Sequence, residues 1–146
     1  MIWRQCDTHG DWAPVVDALI KLEAYAKEYK WAVGVDFSLA TGAIYTAIKA
    51  GQGYIIDGYL VMLDEVKPWY SDEPILTEWL VMKLYQGGSV DSIPPALVQI
   101  AKQRGLKLVM TADSSPVNVV AGAYKRAGFS PLTTSFFKVV QHGIHS

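Results

Sequence analysis

Asp57-Gly58 stands between two runs of strand composition, residues 52–58 (QGYIIDG) and 59–70 (YLVMLDEVKPWY). That dipeptide suits a two-residue hairpin turn, in which both central residues take positive φ. The two runs are therefore expected to pair as antiparallel strands. Pro68 has no ladder donor, so it ends the second strand or places it at an edge. Residues 71–74 (SDEP) read as a turn. Residues 75–86 (ILTEWLVMKLYQ) then carry apolar side chains on both alternating faces. Such a strand is central and covered on both sides, so the sheet needs layers on each face.

The rest of the chain supplies those layers. Val15, Val16, Leu19, Ile20, Leu22, Tyr25 and Ala26 recur with a helical period over residues 12–29. Asp11 is the N-cap candidate, and Pro14 sits in the first turn. Residues 31–37 (WAVGVDF) fit a short strand or a loop. Residues 38–51 read as a second helix, capped by Ser38 and ended by Gly51, with Gly42 costing about 1 kcal/mol of propensity. A helix over residues 92–105 has Asp91 or Ser92 as its cap, prolines in its first turn, and Arg104-Gly105 at its end. A strand over residues 106–112 and a helix from Ser-Pro to Gly128 follow. Residues 1–6 and 129–140 read as the first and last strands. The order is β-α-α-β-β-β-α-β-α-β, a mixed α/β (α+β) sheet flanked by helices. Residues 75–111 form a crossover between parallel strands.

The 146 residues are the size of one domain, 1–146, and are 51% hydrophobic, ample for a packed core. Net charge is −1 with no long basic run, which gives no nucleic-acid signature. The single cysteine, Cys6, excludes an intrachain disulfide and points to a cytoplasmic setting, with the thiol partly buried. No run of about 18 apolar residues suggests a membrane span, and no signal pattern opens the chain. His142 and His145 have ligand spacing, but Gly143 between them speaks for a loose polar end and no metal site.

The stretch Gln86-Gly87-Gly88-Ser89 joins the central strand to a helix. Gly87, Gly88 and Ser89 can offer backbone N–H groups to an anion at the helix start. Asp91 opposes an anion unless it turns away to cap, and Pro94 and Pro95 remove two donors. The sequence admits both a phosphate cradle and a plain capped turn.

The whole chain, in this order, resembles the GNAT superfamily of acyl-CoA N-acyltransferases. The resemblance is carried by residues 2–19 (IWRQCDTHGDWAPVVDAL), by Tyr124-x-x-x-Gly128-Phe129, and by residues 135–140 (SFFKVV). It implies a mixed central sheet of about six or seven strands with about four helices. It also implies acetyl-CoA as substrate, entering where the fourth and fifth strands splay. The family's Arg/Gln-x-x-Gly-x-Gly/Ala loop wraps the cofactor pyrophosphate. Gln86 takes its first position, but Ser89 and Asp91 stand where glycines are expected. This shortened loop resembles divergent GNAT-like proteins encoded by phages.

By that resemblance Tyr124 protonates the departing thiolate, a reasonable task for a phenol of pKa ~10. An oxyanion donor, a backbone N–H, falls around Val81 to Lys83. Lys83, Gln86, Gly87, Gly88, Ser89 and Asn118 would hold the cofactor, although Asn118 equally suits a helix cap. Lys125 and Arg126 face either the cofactor's 3′-phosphate or solvent. Glu78, mid-strand among apolar neighbours, is the candidate base, because a carboxylate there costs several kcal/mol unless paired or functional. By strict alternation it shares a face with Leu76, Leu80 and Met82. Trp69, Tyr70 and Trp79 can line an acceptor pocket or simply pack. The acceptor is an amine, on a small molecule or a protein, and the apolar FFKVV strand could pair across a homodimer. The alternative is a non-catalytic binding or structural protein of the same fold, such as a phage assembly or host-interaction module.

Overall fold

A computed structural model describes residues 3–29, 32–111, 119–132 and 136–142. Strands β1 (Trp3–Gln5), β2 (Gly53–Ile56), β3 (Tyr59–Val66), β4 (Ile75–Lys83) and β5 (Val109–Thr111) lie in the sheet in chain order. All neighbours pair antiparallel except β4 and β5, which are parallel. Helices α1 (Trp12–Ala26) and α2 (Phe37–Lys49) precede the hairpin, α3 (Ile93–Gln103) forms the β4–β5 crossover, and α4 (Val119–Arg126) follows β5.

The hairpin forms as the sequence requires. Ile56 pairs with Tyr59, and Asp57 and Gly58 take φ 48° and 85°. β3 ends before Pro68. Gly51, Gly105 and Gly128 all take positive φ just beyond helix ends, the expected helix stops.

Each sheet face buries a separate core. Tyr54, Ile56, Val61, Leu63 and Leu76 pack against α3 and α4 through Ile93, Leu97, Ile100, Val120 and Tyr124. Ile55, Leu60, Met62 and Met82 pack against α1 and α2 through Val15, Leu19, Ile44 and Ile48. Each large aliphatic side chain so buried contributes about 1.5–3 kcal/mol. The central strands are apolar on both faces for this reason.

One irregularity changes which side chains share a face. Met62 opposes Leu80 and Leu63 opposes Glu78, so Trp79 is an extra residue on β4, a bulge. Leu76 therefore belongs to the α3–α4 core, whereas Leu80 and Met82 belong to the α1–α2 core. The alternation expected to group Glu78 with Leu80 and Met82 breaks at Trp79.

Other differences are local. Asp11 occupies the N-cap of α1 but makes no side-chain cap bond. Its carboxylate is drawn to Arg4 instead. Asp36, rather than Ser38, caps α2 by accepting from the Leu39 N–H at 3.0 Å. A 3-10 turn, Val90–Ser92, precedes α3 and is capped by Ser89. The segment 32–36 contains no strand. The described residues hold five strands rather than six or seven, and 136–142 add none to the sheet. Strand propensity without a ladder partner is insufficient, and Phe136 is 90% exposed.

Candidate functional site

Glu78 lies on β4 opposite the end of β5. Among the described residues the β4–β5 pairing ends at Glu78 and Thr111, while β4 continues to Lys83 paired only with β3. Glu78 is fully buried. The Tyr124 hydroxyl, brought over the sheet by α4, donates to Glu78 Oε1 at 2.9 Å. Burial of a carboxyl is costly unless hydrogen bonds offset it.

The Tyr-x-x-x-Gly-Phe segment has a mechanical basis. Gly128, at φ 89°, reverses the chain after α4. The Phe129 N–H then reaches the Tyr124 carbonyl at 3.0 Å, and the two rings pack at 5.0 Å. This closure holds the tyrosine ring in place beneath the sheet.

The loop after β4 carries Gly87 at φ 82° and Gly88 at φ 75°. The hairpin turn between β2 and β3 docks on it. The N–H groups of Leu84 and Tyr85 donate to the Gly58 carbonyl at 2.9 and 3.0 Å. A Cβ on Gly88 would lie 2.0 Å from the Asp57 carbonyl oxygen, so only glycine permits this approach. The Asp57 carboxylate accepts from the Ser89 N–H at 2.8 Å and from the Ser92 hydroxyl at 2.7 Å. Those two donors, the hydroxyl first, hold its pKa below the usual carboxylate value.

Other donors near the start of α3 are also engaged. The Asp91 N–H donates to the Ser89 hydroxyl at 3.1 Å, and the Ser92 N–H to the Ser89 carbonyl at 3.1 Å. Pro94 and Pro95 contribute none. Asp91 turns to Arg126 on α4, at 2.7 Å, so that arginine is committed to an ion pair. Gln86, Gly87 and Gly88 are exposed. Lys83 is exposed, with its ammonium 5.5 Å from the Tyr59 ring centroid. Lys125 is solvated. Asn118 lies outside the described residues.

A third cluster ties the strand ends together. Arg4 donates twice to Asp11, at 2.7 and 2.9 Å, and the Asp7 N–H adds a third bond at 2.8 Å. The Tyr85 hydroxyl donates to the same carboxylate. Arg4 is the main reason that Asp11, though buried, is held far below the ordinary carboxylate range. The hydrogen bond to Asp11, with burial, raises the Tyr85 phenol in turn. Burial, aided by Asp11, pushes the Cys6 thiol up to about 12, which makes it a packing residue.

On the opposite face, α2 and β3 border a cleft of about 740 Å³. Gly42, Ala43, Thr46, Asp64 and Trp79 line it. Trp69 and Tyr70 do not line it; they stack edge to face at 5.5 Å on the β3–β4 connection, exposed. Among the described residues no group of three or more His, Cys, Asp or Glu could hold a metal, and no helix is long and apolar enough to cross a membrane.

Asp57 is the residue that sequence reasoning treated only as a turn. Nothing local could reveal its partners, because Ser89 and Ser92 lie 32 and 35 residues away.

An antiparallel sheet with one parallel crossover, whose fourth strand runs through a glycine loop into a helix, defines the class. It is the fold of GNAT-type acetyltransferases. A GNAT-family acetyltransferase from Listeria monocytogenes matches with a TM-score of 0.63 over 91% of this chain and 88% of that one, at 13% identity. A possible acetyltransferase from Clostridium difficile matches at 0.61 over 96% and 97%, at 12% identity. A predicted acetyltransferase from Clostridium acetobutylicum, solved with acetyl-CoA, matches at 0.56 over 94% of each chain, at 14% identity. No family model and no curated protein matches the sequence. The chain has the GNAT fold, and at these identities the likeness extends to the fold alone. Nothing in these relatives supports a phage source.

Proposed function

We propose that the protein is an N-acetyltransferase that moves an acetyl group from acetyl-CoA to an amine by direct attack within a ternary complex. The observation that carries this reading is the buried Tyr124–Glu78 hydrogen bond, at the β4 residue that pairs with Thr111 of β5. In this reading the pair would serve as an acid and a base in one hydrogen-bonded unit. The amine nitrogen forms a bond to the thioester carbonyl carbon while its proton passes to Glu78. The carbon–sulfur bond then breaks, Tyr124 protonates the departing thiolate, and Glu78 returns a proton to the phenol. One proton thus travels from amine to thiol, and both residues end as they began.

The fit to acetyl-CoA is uneven. The Tyr124–Glu78 pair suits the thioester end. At the diphosphate end, Asp57 already holds the Ser89 N–H. That contact favours a second reading, a non-catalytic binding or structural protein that keeps the fold with its cofactor loop permanently closed.

Isothermal calorimetry with acetyl-CoA, combined with thiol release in the presence of a panel of amines, separates the two. The first reading expects binding and amine-dependent thiol release. Absence of binding at millimolar acetyl-CoA would leave the second.

A further inference from the structure

The hairpin turn and the loop after β4 are built against each other. A Cβ at Gly88 would collide with the Asp57 carbonyl, Gly58 accepts from Leu84 and Tyr85, and the Asp57 carboxylate caps Ser89 and Ser92. An anionic group therefore already sits at the start of α3, and it comes from this chain. We propose that Asp57 is an internal anion that competes with the cofactor diphosphate for the loop, so that acetyl-CoA binds only when this carboxylate is displaced. The inference rests on the acetyltransferase reading and adds to it a residue that sets cofactor affinity.

Three features support competition rather than coexistence. The carboxylate uses a backbone N–H of the loop, the donor type that a diphosphate oxygen requires. Two anions at one short helix start repel each other, and Asp57 stays charged across the physiological range because its donors lower its pKa. The next donors along the helix start are committed, since the Asp91 and Ser92 N–H groups bond to Ser89 and two prolines follow. Loss of the carboxylate from the loop would release the Ser89 N–H and the Ser92 hydroxyl together.

The substitutions Asp57→Asn and Asp57→Gly test this. Both residue types accept the positive φ of 48° at this turn, so the hairpin survives, and a thermal melt verifies it. Calorimetry is run on wild type and both variants with coenzyme A and with acetylpantetheine, which lacks the diphosphate. The expected result is coenzyme A affinity raised at least tenfold, more in the glycine variant than in the asparagine variant, with acetylpantetheine affinity unchanged. Equal coenzyme A affinity in all three proteins would overturn the competition while leaving the acetyltransferase reading intact. Parallel gains for both ligands would overturn it too, since that outcome signals general loosening. Failure of every form to bind coenzyme A would remove both the competition and the acetyltransferase reading.

Discussion

Tyr124 donates its phenolic hydrogen to Glu78 at 2.9 Å, joining α4 to β4 at the residue that pairs with Thr111 of β5. The bond spans 46 residues of sequence and lies within the core. Both stability and the proposed chemistry depend on it.

Tyr124→Phe removes that donor while keeping the ring against Phe129. A lost hydrogen bond to a buried acidic group costs about 1.5–3 kcal/mol, measurable as a lower urea midpoint with unchanged m. In an acyl-transfer assay the same variant should lower kcat by about 10²-fold with acetyl-CoA affinity intact. An unchanged kcat would take Tyr124 out of the mechanism.

Arg4→Met should destabilise the protein by about 2 kcal/mol. Breaking a buried ion pair costs about 3–5 kcal/mol, but Arg4 is 55% exposed, so solvent screens part of its attraction. Asp7 and Tyr85 still bond to Asp11, which limits the loss further. A measured change below the noise of the melt would show that these two partners suffice.

Asp11 should govern the acid limb of stability. Its pKa is lowered on folding, so its contribution is complete above the unfolded value of about 3.9 and disappears as pH falls below that toward its folded value. Asp11→Asn should be less stable than wild type at pH 6, and the difference should shrink as the pH is lowered from 4 toward 2. Equal acid limbs would assign the pH dependence to another carboxylate.

Gly87 and Gly88 should differ sharply when replaced by alanine. Both have positive φ, and alanine there costs about 1–2 kcal/mol of backbone strain. At Gly87 nothing lies within 4 Å of the added Cβ, so the cost stops there. At Gly88 the Cβ would meet the Asp57 carbonyl at 2.0 Å, so overpacking adds about 1–3 kcal/mol. Equal melting temperatures for the two variants would mean that the turn does not dock on the loop in solution.

Leu97→Ala should cost about 2–5 kcal/mol, because Leu97 is fully buried between α3 and the sheet. Chemical denaturation checks this.

What the sequence by itself determined was local. The hairpin at Asp57-Gly58, the end of β3 before Pro68, the proline-led start of α3, the glycine stops, and the doubly covered β4 all follow from backbone φ preferences and apolar periodicity. Those properties act within a few residues, so they are legible without a fold. Tyr124 and Glu78 were each singled out, one from its Gly-Phe context and one as a carboxyl in an apolar strand. Only the tertiary structure decided that they touch, because the bulge at Trp79 keeps Glu78 with Leu76 and turns Leu80 and Met82 to the other face. It also decided that Asp11 serves Arg4 and Tyr85 instead of its helix, and that Asp57 reaches the loop 32 residues on. A side chain's partner depends on which segments the sheet sets side by side, and no local preference encodes that distance.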